Sequence, residues 1–303
     1  MRTVLIGAFF VVAGCKGDGP ATPTPTPAAP PAAFVQAQQA WRVQRVQELT
    51  APDGWTSLVG LHWLGRGAHY AGSGAGNGIR LAVGPEHFGM FDVTSRGVRF
   101  VPARDARLTI DDAPARATVL RADDDPAGPS LITFDEGKGR AAVIRRGDRY
   151  ALRVKHAEAP TRTGFRGLSY WPGGPDWVVD ARYVANPPGR TIEIANIVGT
   201  VEPMPNPGHV EFERDGRSYR IEALDDGSGG LFLVFADRTS GHGSYGAGRF
   251  IDAPAASNGR VRVDFNQAYN PPCAFTPFAT CPLPPPENRL DLAVSAGERA
   301  YVH

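Results

Sequence analysis

The sequence predicts an all-β fold, a mostly antiparallel barrel or sandwich, led by one N-terminal amphipathic helix. Three observations carry that expectation. Short β-branched and aromatic runs such as GIRLAV, AAVIRRGDRYALRV and LFLVFADRTS recur between glycine and proline punctuation. Several alternate strictly, as in Arg260-Val261-Arg262-Val263-Asp264-Phe265, which marks one wet and one buried face. Two tight hairpins are nearly explicit, at residues 146–149 and 214–217, the second carrying the Asp-Gly that such turns favour.

In chain order, Met1-Arg2 opens a short positive region and residues 4–13 follow as an apolar run too short to span a bilayer. That is the pattern of a secretory signal, residues 1–14. The ending Ala13-Gly14-Cys15 resembles a bacterial lipobox, which implies cleavage before Cys15 and acylation of its sulfur and new amino group. A membrane is then the expected partner, held through the lipid anchor at Cys15. Lys16, where an aspartate would signal the inner membrane, makes the outer membrane the expected site by the same analogy, with the domain facing periplasm or exterior. Residues 15–33 join the lipidated cysteine to a Pro/Thr/Ala-rich tether that cannot bury apolar area. One β-rich globular domain, residues 34–303, is expected beyond it.

The stretch from Phe34 to Leu49 lacks glycine and proline and stops before Pro52. It reads as a helix with Phe34, Ala37, Trp41 and Val46 to Leu49 near one face. After it helical periodicity vanishes.

Charge excludes one class of partner. The formal net charge is +1 and the basic residues are scattered, so no groove-reading stripe exists and nucleic acid is not an expected partner. The oligomeric state is left open. Motif tests exclude more. Gly241-His242-Gly243-Ser244-Tyr245-Gly246 matches a dinucleotide fingerprint by letter, yet the residues that follow read as a strand and no βαβ unit surrounds it. Residues 72–78 lack the Gly-Lys-Ser/Thr of a phosphate loop. His156-Ala157-Glu158 with Pro272-Cys273 lacks the second cysteine that a zinc deaminase needs three residues on. No cofactor and no metal is therefore expected from motifs. With Cys15 taken by lipid, Cys273 and Cys281 are left as one expected structural disulfide in an oxidising compartment.

Candidate site residues gather in the last third. Asp264, Asn266, Tyr269, Asn270, Glu287 and Asn288 crowd around the proline-rich cysteine loop, with Tyr245 and Arg249 entering from the glycine-rich hairpin. Asp264 and Glu287 are the candidate acid–base pair, the arrangement glycoside hydrolysis uses. The competing reading is that such Asp and Asn side chains cap turns and buried tyrosines satisfy carbonyls. Nearer the amino terminus His62 and Trp63, with Trp55, line either a pocket or a core. Arg162, close to Arg166, Tyr170 and Trp171, suits clamping a carboxylate or phosphate.

The segments GWTSLVGLHWLGRG, APTRTGFRGLSYWP, FADRTSGHGSYGAGRF and the stretch from DFNQAYNPPCAF to the final GERAY occur in the order seen in domain-of-unknown-function family 1684. The resemblance runs roughly from Trp41 to Tyr301. It implies a secreted or lipid-anchored bacterial protein and carries no activity, substrate or catalytic residue. The expected function is thus a membrane-anchored envelope lipoprotein whose β domain binds a small polar ligand or sugar. The alternatives are a periplasm-facing hydrolase using an Asp/Glu pair and a purely structural lipoprotein.

Overall fold

Alternation of apolar and polar residues sorts this chain into layers. The computed structural model describes residues 29–225 and 227–303, so the expected signal peptide and Cys15 lie outside the described residues. Strands follow one leading helix, nearly all paired antiparallel, and no sheet closes into a barrel among the described residues. The fold is all-β with packed sheets, the sandwich rather than the barrel.

In the first half, a six-stranded sheet runs in the order Leu58–Leu64, Arg149–His156, Gly139–Arg146, Ile132–Phe134, Thr109–Ile110 and Ala113–Pro114. A five-stranded sheet runs Ile79–Arg80, Gly67–Gly72, Gly89–Thr94, Gly97–Pro102 and Thr118–Leu120. Both send alternate side chains into one core, where Val143, Leu152 and Val154 meet Phe88, Phe91, Phe100 and Phe134. Phe91 and Phe100 lie 4.7 Å apart and Phe134 meets Phe88 edge-on at 5.4 Å, the offset geometries that ring quadrupoles favour.

In the second half, the strands Arg217–Ala223, Gly208–Arg214, Val178–Ala185 and Arg260–Asp264 form a four-stranded sheet. It packs with the hairpin Leu231–Phe235 and Arg249–Ala253 over a core centred on Phe212, Phe235 and Phe265. That hairpin is buried on both faces. Leu231, Leu233 and Phe235 point into this core, while Val234 and Phe250 join a seam with Leu58 and Ile194 that ties the halves together. Both expected turns form, with Arg146 opposite Arg149 and Arg214 opposite Arg217. Asp215 and Gly216 take the two left-handed positions of the second turn, with φ of 52° and 70°.

Two expectations are corrected, the first only in part. The helix α1 (Ala32–Leu49) docks with Leu49 buried and Phe34, Trp41 and Val46 half-buried, as the predicted face requires, but Ala37 of that face is exposed and the polar Gln38 is buried. It docks mainly through donors. Gln38 Nε2 donates to Asp264 Oδ2 at 2.7 Å, and Arg45 donates from Nε to Glu298 Oε1 and from Nη2 to the Asn270 carbonyl, both at 2.9 Å. Buried carboxylates of the second half need partners, and α1 supplies them. The other correction concerns the cysteines. Cys273 and Cys281 are free thiols, adjacent but not bonded, with the Cys273 amide donating to Cys281 Sγ at 3.1 Å. Packing holds the loop instead. Phe275 is buried with Leu49 and Ala274, Tyr245 Oη donates to the Cys273 carbonyl at 3.1 Å, and the Ile197 amide donates to the Cys281 carbonyl at 2.9 Å.

Candidate functional site

The hairpin Gly139–Arg146 and Arg149–His156 explains how a cleft arises. Val143, Leu152, Val154 and their neighbours turn inward to the phenylalanine core, so Arg140, Ala142, Arg146, Arg153 and Lys155 share the outer face. Such a face ordinarily meets bulk water. Here α1 and the second half stand over it, leaving a cleft of about 850 Å³ lined by Arg146, Arg153 and Lys155 on one side. Phe232, Phe250, Asp252, Tyr269 and Thr280 line the other, and Trp41 and Arg45 of α1 with Trp55 complete the walls.

The turn after α1 sets Trp55. Gly54 packs so closely under the end of the helix that a Cβ there would lie 2.5 Å from the Glu48 carbonyl oxygen. Thr56 Oγ1 then donates to the Leu49 carbonyl at 2.8 Å. The Trp55 ring stands with Arg153 and Lys155 at 5.5 and 5.3 Å from its centroid, and Arg45 lies 4.5 Å from the centre of the Tyr269 ring. Thr280 Oγ1 accepts from Arg146 Nε at 2.9 Å and Arg153 Nη2 at 3.2 Å. Burial first, and then the Arg146 charge, pull Arg153 down to about 10. Lys155 is lowered by burial and then by Arg153.

The residues expected from sequence divide sharply. Tyr269 is in the cleft, its hydroxyl donating to Asp252 Oδ2 at 3.0 Å. Most of the others hold the fold. Arg249 is fully buried and donates to Asp237 Oδ2 at 2.8 Å and to the carbonyls of Val294 and Glu298 at 3.0 and 3.2 Å. Asn288 accepts from the Glu222 amide at 2.7 Å and donates to the carbonyls of Glu222 and Val234 at 3.0 and 2.8 Å. Asn266 exchanges hydrogen bonds with the Gly174 backbone at 2.8 and 2.9 Å. Asn270 takes Glu298 Oε2 on its amide at 2.8 Å and donates from its side chain to the Arg299 carbonyl at 2.7 Å.

Arg162 is bound to backbone carbonyls. It donates to the carbonyls of Thr50 and Ala157 at 2.8 and 2.7 Å, tying the end of α1 to the chain that leaves the first sheet. His62 and Trp63 lie on the strand Leu58–Leu64; Arg149 covers the Trp63 ring at 3.9 Å, and burial lowers the His62 pKa. Tyr245 is raised by burial and by its bond to Cys273, and of the two thiols Cys281 holds its proton more tightly through its bond to Cys273 and its burial. Asp264 accepts from Gln38 and from Asn266, whereas Glu287 is exposed on the turn Pro286–Asn288.

Residues 163–299 match the family model described as a protein of unknown function, DUF1684. The chain belongs to the DUF1684 family. A solution NMR structure of an uncharacterized protein from Haloarcula marismortui is 34% identical over 46% of this chain and 78% of that one, with a TM-score of 0.38. No curated protein matches the chain. The DUF1684 match is narrower than the expected span from Trp41 and takes in only one wall of the cleft. Phe232, Phe250, Asp252, Tyr269 and Thr280 fall inside it, while Trp55, Arg146, Arg153 and Lys155 precede it.

Sequence reading missed the cationic wall, naming neither Arg153 nor Lys155. The available signal was three cations on one face of a strong hairpin whose other face is apolar, preceded by Trp55. It carries little weight alone, because a solvated sheet looks the same.

Proposed function

We propose that this DUF1684 protein is a lipid-anchored envelope protein whose cleft binds a small polar ligand. The carrying observation is the cleft itself: concave, with an aromatic wall of Trp41, Trp55, Tyr269, Phe232 and Phe250 facing a lining rich in charged side chains, among them Arg146, Arg153 and Lys155. Ligand sites commonly join an aromatic wall to placed polar groups, and the charged lining suits a polar ligand. The lipobox at Cys15 supports a lipid anchor, Lys16 after it supports the outer membrane by analogy with the domain facing periplasm or exterior, and the proline-rich tether supports a cleft held away from the lipid. The hydrolase alternative has less beneath it, because Asp264 is engaged by Gln38 and Glu287 sits exposed on its own turn.

The test is a thermal-shift screen of sugars, amino acids, carboxylates and phosphates on the full chain in non-ionic detergent. It is repeated on Gln44→Trp, which places a bulky ring at an exposed position on the cleft wall. A ligand that stabilises the native chain and not Gln44→Trp supports the reading. A screen in which nothing shifts the native chain removes it.

A further inference from the structure

We infer that the ligand carries an oxyanion, a carboxylate or phosphate group, seated on Arg153 and Lys155 with an apolar body against Trp55. This rests on the reading of the cleft as a small-ligand site and names the chemistry it selects.

The argument is one of unmatched charge. Arg153 and Lys155 are neighbours on one face of one strand and are both half-buried. Neither forms an ion pair with a carboxylate among the described residues, and each has only neutral acceptors. Arg153 Nη2 donates to the Thr280 hydroxyl, Lys155 Nζ donates to the Asp53 carbonyl at 2.6 Å, and Arg153 Nε is buried with no hydrogen-bond partner.

The acids nearby are hydrogen-bonded to other groups, and Asp123 and Asp53 act on Arg153 and Lys155 only without direct contact between the charges. Asp123 accepts from Arg146 at 2.9 Å, the Asp53 carboxylate is bound by Arg140, and Glu298 holds Arg45. Glu48 accepts from Gln44 at 2.7 Å, and Asp252 accepts from Tyr269.

Two like charges side by side in a partly dry cleft are costly, and one acidic side chain would relieve the cost. A cost that the fold leaves in place, inside a ligand-sized cleft, is the mark of a functional site. The Arg153 guanidinium and, two residues on, the Lys155 amine both line the cleft and can offer charge-assisted hydrogen bonds to the same oxyanion. Trp55, whose ring already stands beside both cations, supplies a flat wall for the rest of the molecule.

Isothermal titration calorimetry on the full chain in non-ionic detergent decides the matter, with benzoate, phenyl phosphate, inorganic phosphate and neutral benzamide as probes. Benzoate or phenyl phosphate should bind at least about 10-fold more tightly than benzamide, the strength of one charge-assisted hydrogen bond. Arg153→Gln and Lys155→Gln should each weaken the anion by about 10- to 100-fold and leave benzamide unchanged. The ratio of benzoate to phenyl phosphate then separates a carboxylate ligand from a phosphorylated one.

Binding of benzamide as tight as that of benzoate overturns the inference. So does anion binding that survives both substitutions in folded protein, or a native chain that gives heat with none of the probes. In the first case, if Gln44→Trp abolishes benzamide binding, the small-ligand reading stands while its anionic form falls. Far-UV circular dichroism checks that each variant is folded, and Lys155→Gln, at the less buried of the two positions, carries the test should Arg153→Gln not fold.

Discussion

The two halves of this molecule are built on different physics. The first, residues 58–156, is organised around phenylalanines, and its fully buried groups are mostly hydrocarbon: Phe88, Phe91, Phe100, Phe134, Leu152 and Val143. The second buries a comparable apolar core and threads it with amides and charges, among them Asn206, Glu222, Asp237, Arg249, Asn266, Asn288 and Glu298. Apolar contacts are non-directional, so the first half needs the right volume in the right place. A buried amide or ion must meet its partner in one geometry, so the second half accepts fewer arrangements of its long loops. Those loops, from residue 236 to 248 and from 265 to the carboxyl end, have little regular hydrogen bonding of their own, and the polar side chains replace it. The DUF1684 match covers this pinned half.

The sharpest way to break that comparison is to remove the largest fully buried pin. Arg249→Leu leaves Asp237 buried beside an apolar chain, and loss of one member of such a pair costs about 3–5 kcal/mol. Urea unfolding should show a loss of that size; a loss below about 1 kcal/mol would mean that water replaces the guanidinium and that the pin is dispensable.

Next in size is Asn288→Leu, which keeps the branched four-atom skeleton of the side chain. It leaves the Glu222 amide and two carbonyls without their partner, and at about 1–3 kcal/mol for a stranded buried group the expected loss is about 3 kcal/mol. Its counterpart in the first half is Leu152→Met, a volume-conserving swap for which less than about 1.5 kcal/mol is expected. Equal losses from these two swaps, measured by the same denaturation curves, would erase the distinction between the halves.

The smallest effect concerns one buried polar atom of the first half. His62 Nε2 is buried without a partner, and burial holds its pKa below the ordinary 6.5. The unfolded chain therefore binds more protons as pH falls through 6.5. Stability contributed by neutral His62 is fully present above that pH and is lost progressively below it. Melting temperatures followed from pH 7.5 to 5 should decline less steeply in His62→Gln than in the native chain, and parallel declines would count against the assignment.

Much of the local structure was legible without coordinates. The strict alternation from Arg260 to Asp264 became a strand with Val261 and Val263 inward, and Asp215-Gly216 turned as its φ preferences require. The letters of the dinucleotide fingerprint at 241–246 became a loop leading into the strand Arg249–Ala253. The site was far less legible, for two reasons. Asn266, Asn288, Arg162 and Arg249 look like ligand contacts because polar residues among aromatics look alike whether they face a ligand or a carbonyl. Arg153 and Lys155 look like solvent-facing residues because nothing local says that another part of the chain will cover them.

Local chemistry, which acts over a few residues, determined the all-β class, the hairpins, the extent of α1 and the order in the proline-rich loop. Which face of α1 docks, whether Cys273 and Cys281 are joined, and that a charged sheet face lies inside a cleft were decided by contacts between residues far apart in the chain. Gln38 meets Asp264 and Thr280 meets Arg153 only after the halves have packed. Burial, which sets both the cost of a charge and the need for a partner, is a property of the assembled layers.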